Sequence, residues 1–276
     1  MAADDEADGH LAYDGAANDR AGDHESDTPH AIIRDATIGP VETVAMVDLL
    51  ERGSVEVVGR MPWSSNGTYL VQVCDDGARS PAVYKPESGE RPLWDFPGGL
   101  WRREVAAWEL SEVLGFGLVP PTVGRDDLPF GRGSLQAFVP ARFEEHYFTL
   151  RQAGRDDLDD ALRRLCVLDI VANATDRKGG HCLVDEDDRL WAIDNGLSFH
   201  AEFKLRTVIW DFAGEELEPR CREALERFCR SGVPLRLARW LDDDEVEATL
   251  SRARGLLAGG RLPHDPTGRR YPWPLV

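Results

Sequence analysis

Positive charge is scarce in this chain. Its 276 residues contain 32 Lys and Arg against 50 Asp and Glu, so the formal net charge at pH 7 is −18. A surface of this sign repels phosphate backbones, and we therefore expect no nucleic-acid partner. Nine of the carboxylates lie in residues 1–30, which contain one Arg and few large apolar side chains. This composition predicts a disordered acidic tail.

Cysteine is also infrequent, and long apolar runs are absent. The five cysteines form no Cys-x-x-Cys pair and no Cys/His spacing of a zinc site. Their odd number and the absence of a signal peptide favour reduced thiols and a cytoplasmic location. No apolar run approaches the roughly 20 residues of a membrane-spanning helix, and neither end carries a lipidation motif. The sequence thus predicts no transmembrane segment.

The common glycine-rich nucleotide motifs are missing as well. There is no Walker A motif, and no Gly-x-Gly-x-x-Gly follows a predicted strand, which excludes P-loop and Rossmann proteins. No internal repeat is visible. The length suits one two-lobed domain or two small domains.

The most informative stretch is residues 174–199. Short apolar runs at 182–184 and 190–193 predict two strands joined by an acidic loop. Asp176 precedes the first strand, and Asp194 follows the second. A hairpin of this length would bring the two carboxylates to face one space.

Two carboxylates that face one space suit a metal–phosphate site. Carboxylate oxygens are hard ligands of the kind that hold Mg²⁺, and the neighbouring Arg177 and Lys178 would neutralise phosphoryl charge. Each carboxylate also has an ordinary interpretation. Asp176 is compatible with a helix cap, and Asp194, which precedes Asn-Gly, is compatible with a turn.

The part of the chain before this stretch is predicted to be rich in strands. Apolar runs bounded by turn residues predict five strands, and apolar residues at helical spacing predict two helices. The predicted strands are 55–58, 68–74, 82–85, 118–123 and 134–139, and the predicted helices are 41–51 and 101–114. The Ser-Ser-Asn-Gly turn at 64–67 is compatible with an ordinary hairpin or with backbone N–H groups that lie over phosphates.

The rest of the chain is predicted to be mainly helical. Apolar residues surround the predicted helix 158–174 so fully that it must be buried on most sides, and its end delivers Asp176. Two further helices are predicted at 215–230 and 242–257. The Pro-rich residues 263–276 are predicted to be irregular.

Two blocks resemble the catalytic loop and the metal-binding loop of the phosphatidylinositol 3-/4-kinase-like superfamily. They are Thr-Asp-Arg at 175–177 and Ala-Ile-Asp-Asn-Gly-Leu-Ser-Phe at 192–199. The type II phosphatidylinositol 4-kinases look most similar. Over residues 55–200 the chain also has the order of elements expected for this superfamily: a strand-rich lobe with a Lys strand and a Glu helix, a hinge, and a helical lobe with the two Asp loops. The resemblance implies one catalytic domain with an α+β, bilobal protein-kinase-like fold. Its antiparallel-sheet N-lobe would span residues 31–140, and its mainly helical C-lobe would span residues 141–276.

The resemblance also implies roles for individual residues. Lys85 would contact the α- and β-phosphates of ATP and pair with Glu104, although a strand-end Lys and a helical Glu are more often surface residues. Asp176 would orient or deprotonate the acceptor hydroxyl, and Asp194 would bind the metal. A hinge at 136–139 would hold the adenine edge through its backbone. The residues expected to hold ATP are Ser64, Ser65, Gly67, Lys85, Gln136, Phe138, Val139 and Lys178.

His181 departs from the family pattern, which places an Asn that binds a second metal five residues after the catalytic Asp. Imidazole suits Mn²⁺ or Zn²⁺ better than Mg²⁺. Three interpretations follow for His181: a ligand of a softer metal, a contact to phosphate, or a sign that one metal site is unused. We expect ATP with Mg²⁺ or Mn²⁺ as cofactors, and Asp194 and His181 as the metal residues.

Three functions are compatible with these residues. The first is a kinase that moves the γ-phosphate of ATP to an unidentified hydroxyl of a lipid, a protein or a small molecule. The second, which His181 favours, is a nucleotide-binding pseudokinase with a regulatory or interaction role. The third is the transfer of AMP instead of phosphate. The sequence leaves the oligomeric state open.

Overall fold

A computed structural model describes residues 40–62 and 64–276. The predicted acidic tail at 1–30 lies outside this range. Within the range, an antiparallel sheet with two helices is followed along the chain by a mainly helical part. The molecule is therefore an α+β protein built in two parts.

The first part is built on a sheet of five strands. The strands are Ser54–Arg60 (β1), Tyr69–Asp75 (β2), Ala78–Pro86 (β3), Thr122–Arg125 (β4) and Gly133–Ala137 (β5). Their spatial order is β1-β2-β3-β5-β4, and every neighbouring pair is antiparallel. Because successive side chains point to opposite faces, Val71 and Val73 of β2 are buried together with Ala82 and Tyr84 of β3.

Two helices, Pro40–Arg52 (α1) and Leu100–Leu114 (α2), accompany the sheet. Helix α2 begins after Gly99 and ends at Gly115, and both glycines have the left-handed φ angles (78° and 70°) that glycine adopts without strain. The Glu90 carboxylate accepts hydrogen bonds from the N–H groups of Gly99 (2.9 Å) and Trp101 (2.8 Å). Two N–H groups at the start of α2 therefore have a partner in the loop that precedes the helix.

The second part contains five helices and a short hairpin. The helices are Tyr147–Gln152 (α3), Asp159–Ala172 (α4), Pro219–Ser231 (α5), Leu235–Ala238 (α6) and Asp243–Gly259 (α7), and the hairpin strands are Cys182–Val184 (β6) and Leu190–Ala192 (β7). Helix α4 is the helix that the sequence predicts to be surrounded by apolar contacts. Its Leu162, Leu165, Leu168 and Val171 are all buried.

The β6–β7 hairpin joins the two hydrophobic cores. Leu183 and Trp191 pack into the core beneath the sheet, whereas Val184, Leu190 and Ala192 pack into the helical core. This division follows from the alternation of side chains along a strand. It places the loops at the ends of the hairpin at the junction of the two parts.

Two predicted elements differ from the structure, and two short helices were not predicted. The predicted strand 118–123 is wrong at its start, because β4 begins at Thr122 after two prolines that have no N–H for the ladder. The predicted helix 215–230 begins only at Pro219, because the preceding residues pair with the backbone of 260–262. The short helices α3 and α6 have no predicted counterpart. Among the residues described, no helix combines the length and apolar character of a membrane span.

Candidate active site

Lys85 lies at the centre of a cluster of charges between the two parts. Its Nζ donates hydrogen bonds to Glu104 on α2 and to Oδ1 of Asp194, which is 2.8 Å away. The other Glu104 oxygen accepts a hydrogen bond of 3.0 Å from the backbone N–H of Asn195. Glu104 thus holds Lys85 and the segment of Asp194 in place at the same time.

Asp194 follows β7 in a left-handed backbone conformation, with φ of 54°. Asp and Asn tolerate this conformation better than most side chains do. The Asp194 side chain is 54% exposed in the cleft, so a ligand can reach it. Gly196 keeps the segment close to α2, because a Cβ at this position would lie 3.2 Å from Oε1 of Glu104.

The charges of this cluster stabilise one another. Burial alone would lower the pKa of Lys85, but Asp194 and Glu104 outweigh burial and raise that pKa above its ordinary value. The charge of Lys85 in turn lowers the pKa of Asp194, against the opposing effect of burial. At neutral pH Lys85 is therefore a cation and Asp194 an anion. These are the charge states that bind phosphate and metal, respectively.

Asp176 lies in the loop that follows α4. The backbone N–H groups on either side of it donate to carbonyls in residues 197–206, at 2.8 and 3.1 Å. Its carboxylate lines the same cavity as Asp194 and lies 3.2 Å from Nζ of Lys178. Burial raises the pKa of Asp176, and the charge of Lys178 opposes that rise. A carboxylate with a raised pKa accepts a proton more readily than an ordinary Asp does.

Arg177 does not serve as a free cation beside the two carboxylates. It forms a buried ion pair with Asp169 on α4, at 3.0 Å, and the two side chains are only 2% and 1% exposed. Its guanidinium also donates to Oδ1 of Asn195 (2.5 Å) and to the backbone carbonyl just before Asp194 (2.7 Å). Arg177 therefore ties the loop of Asp176 to the segment of Asp194, and the neutralising role expected from the sequence is left to other cations.

Sequence reasoning missed Asp169 and Asn195 as the partners of Arg177. The available signal for Asp169 is a carboxylate within an otherwise apolar helical run, because a buried carboxylate needs a cation or hydrogen-bond donors. Thr207 provides one of these donors, since its hydroxyl lies 3.1 Å from Oδ2 of Asp169.

His181 lies beside Asp194 at the end of a short 3₁₀ turn, Gly179–His181. Its Nδ1 accepts a hydrogen bond of 3.4 Å from the backbone N–H of Lys178, and its Nε2 lies 3.4 Å from Oδ2 of Asp194. Burial lowers the pKa of His181 to about 4, so the ring is neutral at pH 7. Because Nδ1 is the acceptor, the proton of the neutral ring lies on Nε2 and points to Asp194. In this tautomer His181 orients Asp194.

Within residues 40–62 and 64–276, no group of three or more His, Cys, Asp and Glu side chains is arranged to hold a metal ion. The cleft instead offers the ionised carboxylate of Asp194, which is a hard oxygen donor. Mg²⁺ usually takes only one or two carboxylates and completes its shell with phosphate oxygens and water. The residues present therefore fit a Mg²⁺ or Mn²⁺ ion that arrives with a nucleotide.

The cleft consists of two adjoining cavities. The first, which we call the hinge cavity, has a volume of 270 Å³ and is lined mainly by apolar side chains: Met61, Val83, Phe138, Val139, Leu183 and Ile193. The second, which we call the inner cavity, has a volume of 310 Å³ and is lined by Asp176 and by residues of the 64–68 loop. Ser64, Thr68, Lys85 and Asp194 line both cavities. The charge cluster therefore lies at the boundary between a mainly apolar cavity and a cavity that contains more polar groups.

The three predicted hinge residues line the hinge cavity. The amide of Gln136 donates a hydrogen bond of 2.8 Å to Oγ1 of Thr122, so this side chain is already engaged within the sheet. Phe138 and Val139 add apolar surface beside the backbone of the same segment. A cavity lined mainly by apolar side chains suits a purine base.

The predicted phosphate-binding loop lies over the boundary of the cavities. Ser64 lines both cavities, while Ser65 and Gly67 line only the inner one. The backbone N–H of Gly67 donates to the carbonyl of Gly89, at 2.8 Å. This N–H is therefore not available to a phosphate in this conformation, contrary to the expectation for Gly67.

The segment 87–99, which we call the strap, forms part of the wall of the inner cavity. The sequence identified this segment only as a loop rich in Pro and Gly. In the structure it contributes Glu90, Arg91 and Leu93 to the cavity wall. No local pattern marks these residues, because they reach the cavity only through the contact between the strap and the 64–68 loop.

Comparison with known proteins places the chain in a family. No protein-family model matches the sequence. The chain is 37% identical to Protein Rv2133c of Mycobacterium tuberculosis (strain ATCC 25618 / H37Rv) over 264 residues, covering 82% of this chain and 94% of that protein. This chain belongs to the Rv2133c family. The match spans nearly the whole relative, so it reflects the complete fold and not a shared local motif.

Two solved structures resemble the Rv2133c-family chain in fold. The structure of hydra Fam20 with sugar has a TM-score of 0.52, is 14% identical, and is matched over 83% of this chain and 91% of that one. The golgi casein kinase has a TM-score of 0.50, is 14% identical, and is matched over 81% and 79% of the two chains. At this identity the likeness shows the fold alone. The expected α+β, bilobal kinase-like fold is confirmed.

Proposed function

We propose that this Rv2133c-family protein is an ATP-dependent phosphotransferase with a hydroxyl acceptor. The observation that carries the proposal is the position of Lys85. It contacts both Glu104 and Asp194 at the boundary of the hinge cavity and the inner cavity, and Asp176 lines the inner cavity. This combination provides a place for a base, a cation for phosphates, a metal ligand and a proton acceptor within one cleft.

ATP would bind across the boundary of the two cavities. Its adenine would occupy the hinge cavity against residues 136–139, and Lys85 would contact its phosphates, as would Ser64, Ser65 and Lys178. Asp194 would hold a Mg²⁺ or Mn²⁺ ion, which neutralises charge on the phosphates when it is bound. Glu104 and His181 would keep Lys85 and Asp194 in position.

Asp176 would act as the base in the transfer step. The acceptor oxygen forms a bond to the γ-phosphorus while the bond from that phosphorus to the oxygen of ADP breaks, and ADP leaves with the electron pair. The proton of the acceptor hydroxyl passes to a carboxylate oxygen of Asp176. Burial favours this transfer because it raises the pKa of Asp176.

The motif resemblance supports the same assignment. The Asp-Asn-Gly block and the Thr-Asp-Arg block resemble those of the phosphatidylinositol 3-/4-kinase-like superfamily, with the type II phosphatidylinositol 4-kinases most similar. Within that frame residues 31–140 would be the N-lobe and 141–276 the C-lobe of one catalytic domain. A lipid acceptor rests on the resemblance alone, since none of the contacts described above selects a lipid.

One observation favours a second candidate, a nucleotide-binding pseudokinase. His181 stands where the family pattern has a metal-binding Asn, and its ring directs Nε2 at Asp194. A protein of this kind would bind ATP in the same cleft without transferring its phosphate. Transfer of AMP has no observation of its own, and its product, pyrophosphate, would distinguish it from a kinase.

The test combines binding and turnover in two variants. Purified protein is incubated with ATP and Mg²⁺ or Mn²⁺, and ADP, pyrophosphate and the thermal shift are measured, since binding raises the melting temperature with ligand concentration. We expect Asp194→Asn to weaken the metal-dependent shift. Asp176→Asn should keep the shift and lose ADP formation.

The exposed Asp187→Asn in the hairpin loop serves as the matched control and should behave as wild type. A thermal shift with no ADP from wild type, even with extract supplied as a source of acceptors, would leave the pseudokinase as the function. Equal turnover in the Asp176 and Asp194 variants would contradict the assignment of both residues.

A further inference from the structure

We infer that the inner cavity is the acceptor site and that the acceptor is a small, water-soluble hydroxyl compound carrying a carboxylate or phosphate group, which pairs with Arg91. The inference rests on the proposed phosphotransferase function. It specifies the class of acceptor, which neither the motifs nor the relatives identify.

The two cavities differ in which functional groups they contain. Asp176 lines only the inner cavity, whereas Phe138 and Val139 line only the hinge cavity. The base must touch the acceptor hydroxyl, and the adenine must touch the hinge. With ATP in the hinge cavity and its phosphates at Lys85, the space that remains beside Asp176 is the inner cavity.

The strap limits what can enter this space. The carbonyl of Gly89 accepts the hydrogen bond from Gly67, and the Glu90 carboxylate binds the start of α2. At the far end of the strap, Nζ of Lys204 donates to the carbonyl of Asp95. The strap is thus fastened to the 64–68 loop, to α2 and to the segment after Asp194. The strap is therefore a fixed part of the wall of the inner cavity, and an acceptor must fit beside it.

The volume of the inner cavity agrees with a small acceptor. The cavity measures 310 Å³ and must also receive the γ-phosphate. Sites for small ligands typically measure about 300–1,000 Å³. The inner cavity is at the lower end of this range, so it suits a compound of metabolite size.

The wall of the inner cavity combines four carboxylates with two cations, and one of these cations has no carboxylate partner among the described residues. Six charged side chains line it, namely Lys85, Glu90, Arg91, Glu104, Asp176 and Asp194. Every carboxylate among them has a partner: Lys85 pairs with two, Lys178 pairs with Asp176, and backbone N–H groups pair with Glu90.

Within the described part of the chain, the guanidinium of Arg91 has no ion pair or side-chain hydrogen bond, although its backbone N–H is held by Asn66 at 3.1 Å. The hydrogen bond to Asn66 therefore holds the backbone of Arg91 in place, and its guanidinium remains available to bind a ligand. Arginine binds carboxylate and phosphate in a two-pronged geometry, which makes an acceptor with such a group the natural partner.

The apolar part of the wall fits the remaining surface of such a compound. Leu93, Leu100, Trp101 and Leu197 line the cavity beside the polar groups. An acceptor whose carbon skeleton lies on these side chains would present its hydroxyl to Asp176 and its anionic group to Arg91. In the transfer, the acceptor oxygen gains the phosphoryl group, Asp176 takes the proton of the hydroxyl, and ADP leaves.

The first experiment identifies the class of acceptor. The full-length protein is incubated with ATP labelled at the γ-phosphate and with three fractions of a mycobacterial extract: proteins, extracted lipids, and small molecules cleared of nucleotides. The small molecules are further divided by anion exchange into neutral and anionic pools. We expect label in the anionic small-molecule pool, dependent on Asp176.

The other possible results would contradict either the inference alone or the proposed function as well. Label in protein, in lipid or in neutral small molecules would overturn the inference while leaving the phosphotransferase intact. The absence of label from every fraction would remove the proposed function together with the inference. The two failures are therefore distinguishable.

The second experiment tests the role of Arg91. With the anionic pool as acceptor, Arg91→Gln should raise the acceptor concentration needed for half-maximal transfer by about 10-fold or more, the effect of losing a charged hydrogen bond. The KM for ATP and the thermal shift with Mg²⁺ and ATP should stay unchanged. Arg91→Lys should recover part of the loss, and the exposed Arg79→Gln, outside the cleft, should show none. An equal rise in the KM for ATP would assign Arg91 to the γ-phosphate instead and overturn the inference.

Discussion

Arg103 and Glu245 form an ion pair that is buried between the two parts of the molecule. Their side chains are only 1% and 4% exposed, and the pair connects α2 beside the sheet to α7 of the helical part. The next residue of α2 is Glu104, which holds Lys85 and the Asp194 segment. One helix therefore carries a residue of the buried ion pair and the carboxylate that contacts Lys85 at adjacent positions, so the position of Glu104 depends on the contact made by Arg103.

Removal of Glu245 should be strongly destabilising. Glu245→Ala leaves the guanidinium of Arg103 buried without a counter-charge, and we expect the free energy of unfolding to fall by about 3–5 kcal/mol. Urea denaturation measures this change. The matched control is Glu216→Ala, which breaks an exposed pair with Arg261 and should cost about 0–1 kcal/mol. Similar losses in the two variants would contradict the importance of the buried pair.

Replacement of Lys85 should impair the transfer more than it impairs folding. Lys85→Met removes the cation at the boundary of the cavities, and we expect kcat/KM for ATP to fall by about 10²–10³-fold, the usual cost of losing one electrostatic contact to the reacting groups. Steady-state kinetics measure the fall, and a melting curve checks that the protein is folded. An active Lys85→Met variant would refute the assignment of the cleft.

A methyl group at Gly89 should loosen the strap. A Cβ at this position would lie 2.8 Å from the carbonyl oxygen and 2.9 Å from Cα of Gly67, so the two backbones must separate. We expect Gly89→Ala to weaken binding of ATP, measured by thermal shift, because the 64–68 loop lies over the phosphate position. Gly98→Ala, in the same strap, would meet nothing within 4 Å and should bind ATP as wild type does.

Removal of the Lys178 charge should raise the pH below which activity is lost. Asp176 must be ionised to accept a proton, burial raises its pKa, and the charge of Lys178 opposes that rise. Lys178→Met removes the opposing charge, so the pKa of Asp176 rises further. The acid limb of the kcat/KM profile should then move to higher pH, beyond any general loss of activity. An unchanged midpoint, or a shift to lower pH, would show that Asp176 is not the titrating base.

The Rv2133c-family sequence alone predicts the local elements of the site. The alternation of apolar residues around 182–193 predicts the hairpin, and the hairpin by itself brings the loops of Asp176 and Asp194 close together. The apolar periodicity of α4 places Asp176 after a buried helix. The contact between Lys85 and Glu104 was expected from the resemblance to kinases, in which the helix after the Lys strand carries the partner of the lysine. The hairpin and the helix depend on short-range periodicity, which the sequence records directly.

Only the tertiary structure decided how the polar groups are distributed. Arg177 was expected to neutralise phosphate charge. Its guanidinium instead pairs with Asp169 and donates to Asn195, because a buried carboxylate on α4 needs a cation. The N–H of Gly67 donates to the carbonyl of Gly89, because the 64–68 loop and the strap, which are distant in sequence, meet at these two residues. Local sequence patterns specify strands and helices, but the direction of a side chain and the partner of a backbone group depend on contacts made after the chain has folded.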